Sequence, residues 1–253
     1  ASRVCITPTP NMSFRDMFMS IRHIYPKSID AFDVTNPNHV VAASCFAFAL
    51  WCLMASWVTG THSHVDRLWS ITPVVYCLSY AYLGEYDTRC VLMAALVTIW
   101  GTRLTYNFAR KGGYRKGEQD YRWPVLQSLP LLQNRFVWQL FNVSFIAGYQ
   151  NLLLLLISGG PMMGAYARKG TALDINDAIA TFAFLGFLTL ERFADNQQWR
   201  FQQAKHLVPG YPRDRKRREE YKQGFNTSGL FKFSRHPNFF AEQGVWVSFG
   251  LFG

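Results

Sequence analysis

Uncharged apolar blocks alternate with basic, polar segments along this chain, and the blocks are continuous rather than amphipathic. Residues 40–58 hold no charge over 19 positions, enough for about 28 Å of helix against a hydrocarbon core of about 30 Å. Residues 68–83 form a shorter uncharged block with Pro73 near its start, and 91–108 is apolar apart from Arg103. Residues 136–167 carry no charge over 32 positions, too long for one crossing. Gly159, Gly160 and Pro161 predict a break there, so this block reads as a span followed by a turn or an interfacial piece. Residues 175–190 are interrupted only by Asn176 and Asp177, and 239–252 give a sixth, incomplete span. The pattern predicts an all-α, multi-pass transmembrane helical bundle of about six spans over residues 40–253. Residues 1–39 read as an extension that mixes prolines with an interfacial-looking stretch at 12–24, and no internal repeat is visible.

Composition agrees: 49% of the 253 residues are hydrophobic and 16% aromatic. A net charge of +10 would suggest nucleic acid in a soluble protein, but its distribution fits topology better. Residues 191–235 carry eleven Lys/Arg against five Asp/Glu, and 110–122 carry five against two. Simple alternation of spans puts both on one face, with the 84–89 loop opposite, and the positive-inside rule makes the basic face cytosolic or its equivalent. The run from Arg213 to Arg218 has no interleaved stacking aromatics, so it reads as headgroup-facing and no nucleic-acid partner is expected. Cys5, Cys45, Cys52, Cys77 and Cys90 form no C-x-x-C pair and read as packing residues. Ala1 rather than Met at the start fits either a removed targeting segment or a partial sequence. The endoplasmic reticulum and the mitochondrial inner membrane both suit such a chain.

The densest candidate chemistry lies in 229–242, GLFKFSRHPNFFAE, which brings Arg235, His236, Asn238 and Glu242 to the start of an apolar segment. Pro237 disfavours helical backbone at His236 and suits a first helical turn, so the Ser-Arg-His run reads as a loop entering a helix near Asn238. A helix N-terminus beside Arg235 favours anions; the competing reading is a basic loop that only contacts headgroups. Arg103 sits inside the third span, where an unpaired arginine costs several kcal/mol, so it must face a partner or a wet cavity; phosphate is one such partner. Arg110 and Lys111 end the same helix before Gly112 and Gly113. Glu191, Asp195, Gln198 and Gln202 recur at spacings of four, three and four, stacking on one helical face. That stripe fits either nucleotide binding or a solvated surface.

His62, His64 and Asp66 alternate as extended-chain ligands would, but a third nitrogen ligand and any H-x-x-x-H box are missing, so no metal is expected. No G-x-G-x-x-G follows a strand and no P-loop occurs; a bound nucleotide would sit on helices and loops.

With these residues in view, the chain resembles the steroid 5-alpha-reductase superfamily, close to a bacterial and protist branch, over roughly residues 60–253. The likeness is carried by DRLWS from Asp66, WGTRLTYNF from Trp100, RKGGY from Arg110, EQDYRW from Glu118, ADNQQ from Ala194, and the 229–242 stretch. It implies a multi-helix membrane fold that binds NADPH in a cytosol-facing cavity and reduces the double bond of an enone lipid. Asp66 falls at the position of the carboxylate that, with a tyrosine, activates the substrate carbonyl. That tyrosine position is Trp100 here, a donor that is no acid at ordinary pH, so Tyr106 and Tyr121 are the stand-ins. The likeness assigns Arg103, Asp195, Asn238 and Glu242 to the cofactor, with Arg110, Arg235 and His236 beside them. The superfamily continues beyond the Glu242 helix into a segment that closes over the cofactor, whereas this sequence stops at Gly253. Either the natural chain is longer or NADPH is held differently.

Three functions follow. The first is a membrane NADPH-dependent reductase of a steroid-like or other enone lipid, with membrane lipids and a hydrophobic small molecule as partners. The second is an S-adenosylmethionine-dependent lipid or isoprenylcysteine methyltransferase, from the shared Arg-His-Pro turn. The third is a catalytically silent relative serving as a subunit of a larger membrane complex, favoured by Trp100.

Overall fold

The computed structural model describes residues 32–207 and 215–252. The stretch at 12–24, Cys5, and Arg213 with Asp214 of the basic run lie outside the described residues.

The described chain is helical, with no strand among its residues. Helix α1 (Pro37–Thr59) opens at Asn36, whose side chain accepts the Asn38 amide at 2.9 Å, and closes at Gly60, φ +71°. A short α2 (His64–Leu68) and then α3 (Thr72–Leu83) follow. Glu85 and Tyr86 turn the chain back in left-handed backbone, φ 57° and 60°. Asp87 then caps α4 (Thr88–Arg110), accepting the Arg89 and Cys90 amides. Beyond lie α5 (Arg122–Gln127), α6 (Arg135–Ala167), α7 (Ile175–Leu207), α8 (Arg215–Gln223), a 3-10 turn at Gly229–Lys232, and α9 (Pro237–Gly250).

Two expectations about boundaries change. The break predicted at Gly159, Gly160 and Pro161 does not occur: α6 runs through Pro161 to Ala167. Proline removes one i→i−4 bond, while the turns on either side keep theirs. The hydrogen-bond pattern shifts earlier instead, in a π-helical stretch at Asn142–Tyr149. The 68–83 block is also divided, because Pro73 occupies the first turn of a new helix; α3 has only 12 residues. At 12 and 14 residues, α3 and α9 are shorter than the roughly 20 needed for a straight crossing. Helices α1 and α6 are long and apolar enough to cross a membrane, and they turn Phe46, Trp51, Leu152 and Leu156 outward.

One core joins α1, α3, α4, α6, α7 and α9 through buried Tyr76, Met93, Trp100, Phe184, Val245 and Phe249. Two glycines permit the closest approaches. A Cβ on Gly101 would lie 2.5 Å from a Val74 methyl and 2.6 Å from the Ser70 carbonyl, and one on Gly244 would lie 2.3 Å from the Phe187 ring. Helix α9 can therefore lie directly along α7.

At the 84–89 end, Arg89 is fully buried. Its Nε and Nη2 donate to the two Asp177 oxygens at 2.9 Å each, Nη1 donates to Thr171 Oγ1 at 2.8 Å, and Nη2 also donates to the Ala172 carbonyl at 2.8 Å. This clamp ties the start of α4 to the start of α7. A buried guanidinium is tolerable only when paired and hydrogen-bonded in this manner.

Candidate functional site

Helices α4, α7 and α9 meet around Arg103. Its Nη1 donates to Asp195 Oδ2 at 2.7 Å, and its Nη2 donates to Glu191 Oε1. Asn107 Nδ2 reaches the same Asp195 oxygen at 2.9 Å, and Asn238 Nδ2 approaches Asp195 Oδ1 at 3.4 Å. One turn further along α9, Glu242 accepts from Trp100 Nε1 at 3.2 Å and from Trp246 Nε1 at 3.0 Å. Arg103, Asp195, Asn238 and Glu242 thus come together from three helices. Arg103 is bound by carboxylates of its own chain. Two carboxylates bind the one guanidinium and Glu242 lies beside Glu191, an environment that repels phosphate from Arg103 itself. The stripe on α7 accordingly divides. Glu191 and Asp195 are buried, contrary to the solvated-face reading, because α7 stays packed on α4 and α9 past Leu190. Gln198, a turn later, lines a cavity.

That cavity, of about 780 Å³, lies where the loop after α8 enters α9, and Gln198, Phe231, Lys232, Arg235, His236 and Asn238 line it. The loop is built on buried Glu220, which accepts from Thr227 Oγ1 and Ser228 Oγ at 2.6 Å each and from the Thr227 amide at 3.2 Å. These bonds, with the Arg217 guanidinium nearby, hold the Glu220 carboxyl below its ordinary range despite burial, which pushes the other way. Gln197 Oε1 accepts the Leu230 amide at 2.9 Å and fixes the loop to α7. Lys232 and Arg235 are exposed, with no anionic partner among the described residues. Two cations, an imidazole, three amides and phenyl faces make a donor set suited to a phosphorylated, aromatic ligand.

Arg110 points elsewhere. It donates from Nε to Asn107 Oδ1 and from Nη1 to Asn196 Oδ1, at 2.9 Å each, and lies between the rings of Tyr106 and Trp199, 5.8 and 5.1 Å from their centroids.

Asp66 occupies a third place. It lines a cavity of about 610 Å³ walled mainly by Trp69, Leu104, Phe108, Leu126, Phe145 and Leu153. Trp123 Nε1 donates to Asp66 Oδ2 at 3.1 Å, and Arg122 Nη2 lies 3.4 Å from Oδ1. Burial raises the Asp66 pKa above the ordinary carboxylate value, with Ser63, Trp123 and Arg122 opposing that shift. Neither stand-in tyrosine lines this cavity. Tyr106 is 66% exposed: six residues beyond inward-facing Trp100, it falls well off the buried face that Asn107 shares. Tyr121 is 77% exposed at the start of α5. The residue that reaches Asp66 is Trp123, two positions on, a partner the sequence reading missed within the EQDYRW run. Trp100, expected beside Asp66, is instead buried against Glu242.

His62 and His64 diverge. Trp138 Nε1 donates to His62 Nε2 at 3.0 Å, while His64 Nε2 lies 2.7 Å from Thr59 Oγ1. No metal-holding group of His, Cys, Asp or Glu occurs among the described residues.

The fold and these cavities define an all-helical protein with an outward apolar surface and buried polar chemistry between α4, α7 and α9. The chain belongs to the DUF1295 family, described as proteins of unknown function, whose profile matches residues 50–253. It is 38% identical over 232 residues to an uncharacterised protein of Schizosaccharomyces pombe, covering 86% of this chain and 65% of that relative. The chain therefore spans about two thirds of that relative's length. No solved structure matches.

Proposed function

We propose that this protein is a multi-pass membrane reductase of about six spans that uses NADPH to reduce the double bond of an enone lipid. The observation that carries the reading is the Asp66 cavity: a mainly apolar chamber, lined also by Asp120 and Arg122, in which burial raises the proton affinity of the Asp66 carboxyl. A protonated Asp66 donates a hydrogen bond to a substrate carbonyl oxygen, and Trp123 holds the other carboxyl oxygen in place. The apolar walls suit a fused-ring or isoprenoid substrate. The donor set at Gln198, Lys232, Arg235, His236 and Asn238 fits the phosphates and amide of a dinucleotide. NADPH, when bound, supplies the hydride. The resemblance to steroid 5-alpha-reductases supports the same assignment.

The membrane reading draws on outward aromatic and aliphatic side chains along α1 and α6. A soluble protein's core helices would bury most of those residues. The basic segments at 110–122 and 191–235 then face the cytosol.

A second reading, a silent relative within a larger membrane complex, is favoured by the closed Trp100–Glu242–Trp246 contact and by the carboxylates that already neutralise Arg103. NADPH titration of the purified full-length protein separates the two. Saturable binding that Arg235→Ala weakens about tenfold supports the reductase, and absence of binding supports the silent relative.

A further inference from the structure

Between α4 and α7, on the side of the Arg103–Asp195 pair where Arg110 lies, runs a groove of about 880 Å³ whose two ends differ in chemistry. One end carries Arg110 and Arg192; the other is walled by Ile99, Leu185 and Leu188 with Thr98, and Thr102 and Arg103 lie between. The polarity follows helix direction. Arg192 is seven residues beyond Leu185 and Arg110 eleven beyond Ile99, about 10 and 16 Å along the helix axes. The cations therefore sit at the basic rim, and the apolar walls lie at hydrocarbon depth.

The charges do not cancel. Asp195 is the carboxylate lining the groove, and its oxygens are engaged by Arg103, Asn107 and Asn238. Arg110 is held rigidly by two asparagines and two aromatic rings, none of them anionic. Arg192 is exposed and has no partner among the described residues. Two guanidinium groups thus face the groove mouth uncompensated, one of them pre-positioned.

We infer that this groove binds one anionic glycerophospholipid, with its phosphate between Arg110 and Arg192 and an acyl chain along Ile99, Leu185 and Leu188. A guanidinium pair matches a net-negative headgroup, whereas the ammonium of a zwitterionic lipid would be repelled. Ile99 and Leu185, 53% and 37% exposed, leave the groove open to bilayer on its apolar side. The site is separate from the Asp66 and Arg235 cavities. It rests on the membrane reading but not on reductase chemistry, so failure to bind NADPH leaves it standing.

The test uses full-length protein in neutral detergent, with native mass spectrometry and thermal unfolding in the presence of phosphatidylglycerol, phosphatidylcholine or inorganic phosphate. One phosphatidylglycerol should be retained and should raise the unfolding temperature, while phosphatidylcholine and phosphate should not. Arg192→Gln should weaken phosphatidylglycerol binding about fivefold, the equivalent of ~1 kcal/mol per headgroup arginine. Thr102→Trp, which fills the groove between headgroup and chain, should abolish retention. Both positions are exposed, and circular dichroism of each variant confirms folding. Equal stabilisation by both lipids, an equal effect of phosphate alone, a second copy bound in place of lipid, or unchanged binding in both variants would overturn the proposal.

Discussion

Trp100 on α4 donates its indole N–H to Glu242 on α9 at 3.2 Å, and Trp246 donates to the same carboxylate from the other side. The two indoles meet edge to face with centroids 4.8 Å apart, closing the interior between α4 and α9. A carboxylate at this depth is stable only with its lone pairs occupied. Trp100→Phe removes one donor and part of the packed volume, and should lower stability by about 1–3 kcal/mol. For a chain of this size that is about 2–4 °C of unfolding temperature per kcal/mol, read by thermal denaturation in detergent. Trp100→Tyr, which keeps a donor, should lose less.

The Arg103 pairing predicts a structural phenotype. Arg103→Leu strands Glu191 and Asp195 without their cation and should cost about 3–5 kcal/mol, the penalty of breaking a buried ion pair from one side. Adding Glu191→Gln and Asp195→Asn should recover most of that loss, because the uncompensated charges disappear with the arginine. If Arg103→Leu folds and unfolds as wild type does, the ion-pair geometry described above is wrong.

Asp66 makes a prediction with a definite pH sense. Its pKa is raised in the folded state from an ordinary value near 3.8, so the native protein keeps a proton that the unfolded chain releases as pH climbs through that value. Stability contributed by this residue therefore falls as pH rises above about 4. Asp66→Asn removes the slope, and at neutral pH it should unfold at a higher temperature than wild type while losing turnover. Chemical denaturation at pH 4 and pH 7 gives the check: the gain of the variant over wild type should be larger at pH 7.

How far the sequence carried these conclusions depends on the kind of signal. Apolar blocks gave α1, α4 and the first half of α7 well, because a long apolar run has few alternatives to a helix. Pro161 misled, since a proline's local cost does not decide whether a 33-residue helix continues. At the site, the convergence of Arg103 with Asp195, Asn238 and Glu242 was legible from motif position and helical period. Which carboxylate would neutralise Arg103 was not, because Glu191 looked like the first residue of a solvated stripe. Trp123 was hidden for a similar reason: its N–H reaches Asp66 across 57 residues of chain, a contact no local pattern encodes. Arg89 and Asp177 read as a loop charge and an interruption, and only packing reveals them as one clamp.

Topology can be tested independently of chemistry. Both basic segments should lie on one side of the membrane and the 84–89 turn on the other. Single cysteines introduced at Lys116 and Lys216 into a cysteine-free background should react from the same side, and one at Glu85, whose side chain is 83% exposed, from the opposite side. Opposite labelling of Lys116 and Lys216 would rule out the six-span map.

The decisive prediction separates enzyme from relic. For a reductase, full-length protein should bind NADPH more tightly than NADH, with the extra phosphate held by free cations, and Arg235 and Lys232 are the cations without a protein anion in the cavity beside α9. Arg235→Ala should then cost about tenfold in affinity, as expected for loss of one charge-assisted contact of about 1.5–3 kcal/mol. Asp195→Ala should also weaken binding, by releasing Asn238 and Arg103 from their present positions. Asp66→Asn should spare binding and abolish turnover, because Asp66 lines a different, apolar cavity and is assigned to the substrate carbonyl. The two cavities thus predict separable defects, binding in one and chemistry in the other. If NADPH does not bind to full-length protein while the lipid groove still selects phosphatidylglycerol, the reductase reading fails and the silent membrane-subunit reading is favoured. The Trp100–Glu242 contact then acts only as an internal brace.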